Sequence, residues 1–234
     1  MSWLLGIDTS SVDLGVGLFN NTKPAASFSR YVRNSHAEHI TPVVKTILES
    51  NGISPEDITH LAVTTGPGSF TGLRIGIAFA KGFCFAQNTV ICPVSSLEIL
   101  AYGARTHRGR IVTAIDARND DVFWASFESD GCSVKRLGND TVCSAEEFEC
   151  MIKQSDTIIT DTMGFSRSTV FNFLDKHQSF YPVESFPLHR GFLCTLHASL
   201  LLDNKDVWKK GNEILPRYLR LSSAQYKAEK VQNA

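Results

Sequence analysis

The sequence predicts an α/β fold of two lobes, with mixed β-sheets flanked by helices. Apolar segments with the two-residue period of strands alternate with amphipathic helical segments in the first half of the chain. A similar order of strands and helix starts again near residue 111. The chain has 234 residues, of which 43% are hydrophobic, so it can form two lobes of about 100 residues each.

The first half is predicted to have the element order β-β-β-α-β-α-β-α. Strands are expected at residues 3–8, 14–19, 26–32, 58–65 and 90–94. Apolar residues recur at the spacing of one helix face over residues 36–51, which predicts an amphipathic helix. A second helix is predicted over residues 70–87, and a third begins at Ser95 or Ser96. This order is typical of a mixed sheet covered by crossover helices.

The second half is predicted to be a smaller version of the first. Strands are expected at residues 111–116, 122–128, 133–137 and 157–160. Ser144 and Glu147 have the spacing of a capping box, which predicts a helix that starts at Ser144. The polar segment 103–109 separates the halves. We therefore predict an N-terminal lobe over residues 1–105 and a reduced C-terminal lobe with a tail over residues 106–234.

Composition excludes several classes of protein. With 23 basic and 24 acidic residues, the surface has no general basic field that would bind nucleic acid. The six cysteines form no Cys-x-x-Cys pair, which favours buried free thiols in a reducing compartment. The N-terminus lacks the features of a signal peptide, and the longest apolar stretch is interrupted by Arg74 and Lys81. We therefore expect a cytoplasmic protein that does not enter a membrane.

A glycine-rich turn, TTGPGSFTG at residues 64–72, lies between a predicted strand and a predicted helix. Backbone N–H groups at such a helix N-terminus suit an anion, so Gly66 and Gly68 are candidates for phosphate binding. The Lys-Ser/Thr pair of a P-loop is missing, because residues 71–74 read TGLR. A tight turn without a ligand is therefore the favoured interpretation.

Two aspartates, Asp8 and Asp13, flank the polar turn after the first strand. Proteins that bind nucleotide phosphates through a hairpin place a magnesium-directed carboxylate in such a turn, but aspartate there is usually only a turn residue. His36 and His39 are three residues apart, and the sequence indicates no third metal ligand for them. The sequence therefore predicts no catalytic residue, no metal site and no cofactor.

A stripe of small residues marks the second predicted helix. Gly72, Gly76 and Ala80 lie four residues apart, and small residues at this spacing allow another element to approach closely. The other faces of the helix are also apolar, so it needs cover on two sides. One side can be the sheet of the same chain. The other is covered either by the first helix or by a second protein.

The tail over residues 209–230 carries six lysines and arginines interleaved with Tyr218 and Tyr226. Basic residues mixed with aromatic ones can contact RNA or an acidic partner. A solvated tail without a partner fits the same pattern.

The motifs GIDTSS, HAEHITPVV, GPGSFTGLRIGIAFAKGF, PVSSLEIL, AIDAR and LPRYLR occur in this order, and with them the chain resembles the TsaB (YeaZ) family. The resemblance is strong over residues 4–128, and GPGSFTGLRIG is its most specific part. It implies a two-lobed fold of the actin-like ATPase (ASKHA, ribonuclease H-like) class. It also implies a role beside TsaD and TsaE in making threonylcarbamoyladenosine next to the anticodon of tRNA.

The resemblance further implies a non-catalytic subunit. TsaD is a paralogue whose His-x-x-x-His pair binds the catalytic metal, and the shared Pro-Val aligns that pair with Ser96 and Leu100. Leucine cannot bind a metal, and a single serine is a poor ligand. tRNA would then be bound only through the complex. Two alternatives stay open. The chain could be a metal-dependent glycoprotease-like peptidase or ATP-dependent phosphotransferase of this fold, or an independent tRNA-binding module.

A partner interface is also implied by the resemblance. The helices at residues 36–51 and 70–87 would form a four-helix bundle with the equivalent helices of TsaD, or with a second copy of this chain in a homodimer when TsaD is absent. The residues expected at this interface are His36, Ile40, Val44, Gly72, Leu73, Gly76, Ile77 and Ala80.

Overall fold

A computed structural model describes residues 2–32, 35–153, 156–160, 183–185 and 189–219. Its first sheet has the strand order β3-β2-β1-β4-β5. The strands are β1 (Trp3–Asp8), β2 (Asp13–Asn20), β3 (Lys23–Tyr31), β4 (Ile58–Gly66) and β5 (Val90–Ser95). β1, β2 and β3 form an antiparallel meander, whereas β4 and β5 run parallel to β1. The sheet is therefore mixed, as the element order predicts.

Helices cover both faces of the first sheet. Within the described residues the helices are α1 (His36–Ser50), α2 (Phe70–Gln87), α3 (Ser96–Gly103), α4 (Ala145–Met151), which packs on the second sheet, and α5 (Arg190–Ser199). Successive strand residues point to opposite faces, so Leu5 and Ile7 pack in the core with α1 and α2. Leu4 and Phe19 pack on the other face in the core that contains α5. The cover by α5 was not predicted from the sequence.

Glycines in the first two strands let α5 lie close to the sheet. A Cβ added at Gly6 or Gly17 would be 2.0 or 2.2 Å from Thr195 Oγ1. One added at Gly15 would be 2.5 Å from the backbone nitrogen of Gly191. No real Cβ tolerates such distances. The close packing of α5 on this sheet therefore requires glycine at these strand positions.

The second sheet has the order β11-β10-β6-β7-β8, with β9 paired to β7. Its strands are β6 (Arg108–Arg118), β7 (Asp121–Asp130), β8 (Val134–Arg136), β9 (Thr141–Ser144), β10 (Thr157–Thr160) and β11 (Val183–Ser185). Helix α3 joins the two halves, because Leu97 and Leu100 pack in the core of the second sheet while Ile99 packs in a core of the first. The predicted capping box is confirmed by hydrogen bonds of 3.1 and 3.2 Å between Ser144 and Glu147.

The predicted strands and helices up to residue 160 occur within a few residues of their expected bounds. The lobe boundary at residue 105 stays a prediction. Helix α5 comes after most of the second sheet in the chain, yet it packs on the first sheet. Four cysteines are buried free thiols as expected, but Cys132 and Cys150 are exposed. In the described part of the chain, no helix is both long enough and apolar enough to span a membrane.

Candidate functional site

The carboxylate of Asp8 lies at the end of β1 and is buried among groups of its own chain. Arg190 Nε donates to it at 2.6 Å, and Thr64 Oγ1 donates at 2.6 Å. Ser10 donates through both its hydroxyl, at 2.6 Å, and its backbone N–H, at 2.9 Å. Burial alone would raise the pKa of Asp8, but the Arg190 guanidinium and these hydrogen bonds outweigh burial and lower it.

This arrangement does not fit a magnesium or nucleotide site at Asp8. A metal needs carboxylate oxygens that are free to bind it, whereas the Arg190 guanidinium already neutralises the Asp8 charge. Asp13 at the other end of the turn is also buried, and His36 Nε2 lies 3.2 Å from its backbone carbonyl oxygen. His36 therefore helps to hold the hairpin against α1. The hairpin candidates of the sequence thus belong to the packing of the first lobe.

The glycine-rich turn is also filled by its own chain. A Cβ added at Gly68 would lie 2.4 Å from the carbonyl oxygen of Ser10, and one at Gly66 would lie 2.7 Å from that of Arg217. The N–H of Ser69 donates to the Ser10 carbonyl at 2.7 Å, so it is not directed at an external anion. These contacts support the interpretation of Gly66 and Gly68 as residues of a tight turn.

The small-residue stripe on α2 faces the hairpin turn after β1. A Cβ added at Gly72 would lie 2.0 Å from the carbonyl oxygen of Thr9, and one at Gly76 would lie 2.3 Å from Thr9 Oγ1. The Thr9 hydroxyl also donates to the Gly72 carbonyl at 2.7 Å. The close approach that the stripe predicts is therefore made by the hairpin of the same chain.

All eight residues expected at a partner interface are buried inside this chain. They are His36, Ile40, Val44, Gly72, Leu73, Gly76, Ile77 and Ala80. We therefore correct the choice of residues, because a partner can reach only the opposite sides of α1 and α2. The helix pair itself stays a candidate docking surface.

The side of α2 that faces away from the sheet carries Arg74 and Lys81 along one edge and is otherwise apolar and uncovered by the described residues. Phe85 is 94% exposed, and nothing lies within 4 Å of a Cβ added at Gly82. Ala78 is exposed on the same side, where Ile75 and Phe79 are half-buried. We call the surface of these five residues the outer face of α2. An apolar patch that is left exposed is a candidate site for the docking of another protein.

A segment near the C-terminus runs alongside α2, and we call residues 209–218 the strap. Lys209 forms two backbone hydrogen bonds with Ile91 of β5, at 2.7 and 2.8 Å. Ile214 is 2% exposed and belongs to the first core. The N–H of Arg217 donates to the Thr65 carbonyl at 2.7 Å. The described part of the basic tail is therefore docked on the first lobe, whereas residues 220–230 lie outside the described residues.

Comparisons with known proteins identify the family. The family model described as TsaD: tRNA N6-adenosine threonylcarbamoyltransferase matches residues 30–183. The TsaB protein of Escherichia coli (strain K12) is 40% identical over 129 residues, which are 54% of this chain and 55% of that protein. The TsaB protein of Bacillus subtilis (strain 168) is 32% identical over 154 residues, which are 65% of this chain and 67% of that protein. The chain belongs to the TsaB (YeaZ) family.

A solved structure agrees with this TsaB assignment. YeaZ from Pseudomonas aeruginosa is 26% identical to this chain. The two structures align with a TM-score of 0.76, and the alignment covers 94% of this chain and 100% of that one. The two-lobed fold class predicted from the sequence is thereby confirmed. The aligned residues span about half to two thirds of the two curated TsaB relatives, which are each described as a tRNA threonylcarbamoyladenosine biosynthesis protein.

Sequence reasoning missed two arginines that organise this TsaB-family chain. Arg190 pairs with Asp8, and Arg217 Nη1 donates to Asp140 at 2.8 Å. Asp140 is buried and also accepts from Ser95 Oγ at 2.8 Å, so Arg217 links the strap to the connection between the two halves. No spacing rule could find these pairs, because their members are far apart in the chain.

Proposed function

We propose that this chain is a non-catalytic partner subunit in tRNA threonylcarbamoyladenosine biosynthesis, which works in the cytoplasm by binding and activating a TsaD-type enzyme together with TsaE. The observation that carries this proposal is the outer face of α2. The inner side of the helix is fully used by the sheet and the hairpin, yet its outer side exposes Phe85 and an open position at Gly82. A helix that is apolar all round needs a second cover, and the described residues do not supply it.

The proposed partner is a TsaD-type subunit that presents an equivalent pair of helices. The match of this chain to the TsaD family model over residues 30–183 includes both α1 and α2, so related helices would meet across the interface. Burial of about 800 Å² on each partner is enough for a stable and specific complex. When TsaD is absent, a second copy of this chain would use the same surface to form a homodimer.

The absence of catalysis is proposed from the positions where the paralogue carries its metal ligands. Ser96 and Leu100 stand there, and both side chains are fully buried in α3. Of the two hairpin aspartates, Asp8 is paired with Arg190, and Asp13 is buried. The chain would therefore contribute binding and positioning, and the complex as a whole would hold the tRNA.

Phe85→Ser should weaken the affinity for a TsaD-type subunit by about 10- to 100-fold, because aromatic anchors at the centre of an interface contribute most of its binding energy. Isothermal titration calorimetry with the purified pair measures this change. Leu200→Ser is the matched control, since Leu200 is 56% exposed but lies at the end of α5 on the opposite face of the sheet. Equal affinities of the Phe85→Ser variant and the original chain would contradict the docking surface.

The function itself is tested by threonylcarbamoylation of tRNA in a reconstituted mixture of TsaD, TsaE, ATP and the threonylcarbamoyl-adenylate donor. We expect activity only when TsaD and this chain are both present. Turnover of peptide or ATP by this chain alone would favour the enzyme alternative. Tight tRNA binding by the isolated chain with a steep dependence on salt would favour the tRNA-binding alternative. Full activity without this chain would contradict the proposed role.

A further inference from the structure

Arg74 is an exposed arginine whose side chain is nevertheless held in one place. Its guanidinium carbon lies 3.8 Å from the centroid of the Phe70 ring, one helical turn earlier on α2. Its Nε donates to the hydroxyl of Tyr218 at 2.9 Å. The two rings stack on each other with centroids 4.7 Å apart, so Arg74 is bound by a helix residue and a strap residue together.

The charge of Arg74 has no carboxylate partner within the described ranges of the chain. Other arginines that are held in place here do have one: Arg110 pairs with Asp156, Arg190 with Asp8, and Arg217 with Asp140. Aromatic stacking fixes the Arg74 guanidinium but leaves its two terminal nitrogens available for an acceptor. A planar guanidinium that is already fixed loses little freedom when it binds a carboxylate in a bidentate manner.

The position of Arg74 connects it to the docking surface. Ala78 lies one turn further along α2 on the same exposed side, followed by Gly82 and Phe85. On the basis of the function proposed above, we propose that Arg74 is a preorganised anchor for a carboxylate of the TsaD-type partner, and that Tyr218 of the strap holds it in position. The partner helix would then carry an acidic residue beside the small and apolar residues that cover the outer face.

A protein carboxylate fits this surface better than an RNA phosphate. Binding of RNA depends on several cations that neutralise successive phosphates. Lys81 follows Arg74 by two helical turns, next to the strap at Gly211, but the five residues of the outer face are apolar and fit a protein surface. Arginine and aromatic residues are enriched at the centres of protein interfaces, and Arg74 and the exposed Phe85 lie on the same side of α2 about three turns apart.

The test measures the affinity of the full chain for a TsaD-type subunit by isothermal titration calorimetry. Arg74→Ala should weaken binding by about 10- to 100-fold, the usual effect of losing a hydrogen-bonded charge pair. Arg74→Lys should weaken it by at least about 10-fold, because lysine keeps the charge but cannot bind in a bidentate manner. Tyr218→Phe should cause a loss of only about 2- to 5-fold, since the ring stacking remains and only the hydrogen bond to Arg74 is removed.

Lys135→Ala on β8 is the control, because Lys135 is an exposed cation of the second sheet, away from α2. We expect it to bind as the original chain does. A correctly folded Arg74→Ala variant with unchanged affinity would overturn the inference while leaving the proposed function intact. Binding of tRNA to the same variants is measured by filter retention. If Arg74→Ala lowered tRNA binding but not the affinity for the TsaD-type subunit, the acceptor would be a phosphate, and the inference would be wrong. Failure of the original chain to bind TsaD would overturn the proposed function itself.

Discussion

Replacing Arg190 with methionine should lower the free energy of unfolding by about 3–5 kcal/mol. The change removes the guanidinium that lies 2.6 Å from Asp8, while methionine keeps most of the apolar stem. Asp8 is 1% exposed, so its charge would stay buried without its strongest partner. Urea unfolding at pH 7 measures the loss as a lower midpoint.

The effect should depend on pH in a defined direction. The pKa of Asp8 in the folded chain is below its ordinary value. The ion pair therefore contributes fully to the free energy of unfolding above about pH 4. Its contribution is lost as pH falls through the folded pKa. Without the guanidinium, burial raises the pKa of Asp8 in the Arg190→Met variant. The difference in stability between the variant and the original chain should therefore be largest near pH 7 and become smaller as the pH falls and Asp8 of the variant takes up a proton.

Two further variants show whether the buried charge is the cause. Arg30→Met changes an exposed arginine on the edge strand β3 and should alter stability by no more than about 0.5 kcal/mol. The double variant Asp8→Asn with Arg190→Met should recover part of the loss, because no unpaired charge is then buried. A loss below about 1 kcal/mol for Arg190→Met alone would show that the pair is not a main support of the first lobe.

The same substitution at two glycines of α2 should have opposite effects. Gly72→Ala places a methyl group 2.0 Å from the backbone carbonyl oxygen of Thr9, which cannot move without displacing the hairpin. We expect a loss of about 3 kcal/mol or more, beyond the usual cost of overpacking. Gly82→Ala meets nothing within 4 Å and should stabilise the chain by about 0.5–1 kcal/mol, because alanine favours the helix.

Thermal and urea unfolding of both variants provide the comparison. Each contains the same chemical change in the same helix, so helix propensity cancels and the difference reports the contact with Thr9. Stability of Gly72→Ala within about 1 kcal/mol of the original chain would mean that the hairpin can yield, and the stripe would again be available to a partner. A bulky residue at Gly82, in contrast, should impair only docking.

The stripe of small residues on α2 is covered by the hairpin of the same chain, so it is not the docking surface. The sequence indicates correctly that something approaches Gly72 and Gly76 closely, and the structure identifies it as the turn at Thr9. Under the proposed function, a partner would use the outer face, where Phe85 is exposed. The hairpin turn at Thr9 packs against the side of α2 opposite to that face.

The sequence by itself determined the order of the elements, the capping box at Ser144, the mixed first sheet and the family. These features depend on local periodicity and on short motifs, which act over a few residues. It also determined which residues of α2 are small. It did not determine what each side of α2 contacts, because a helix that is apolar all round has no preferred face in its pattern.

Only the tertiary structure decided which groups meet. Asp8 and Arg190 are 182 positions apart, and Thr9 and Gly72 are 63 positions apart. Arg74 and Tyr218 are separated by 144 positions. Such pairs form because the strands, α5 and the strap are brought together by the burial of the whole core, and no periodic signal in the chain encodes that proximity. The candidate metal and phosphate residues of the sequence, Asp8, Asp13, Gly66 and Gly68, all lie in contact with groups of their own chain, which no local pattern predicts.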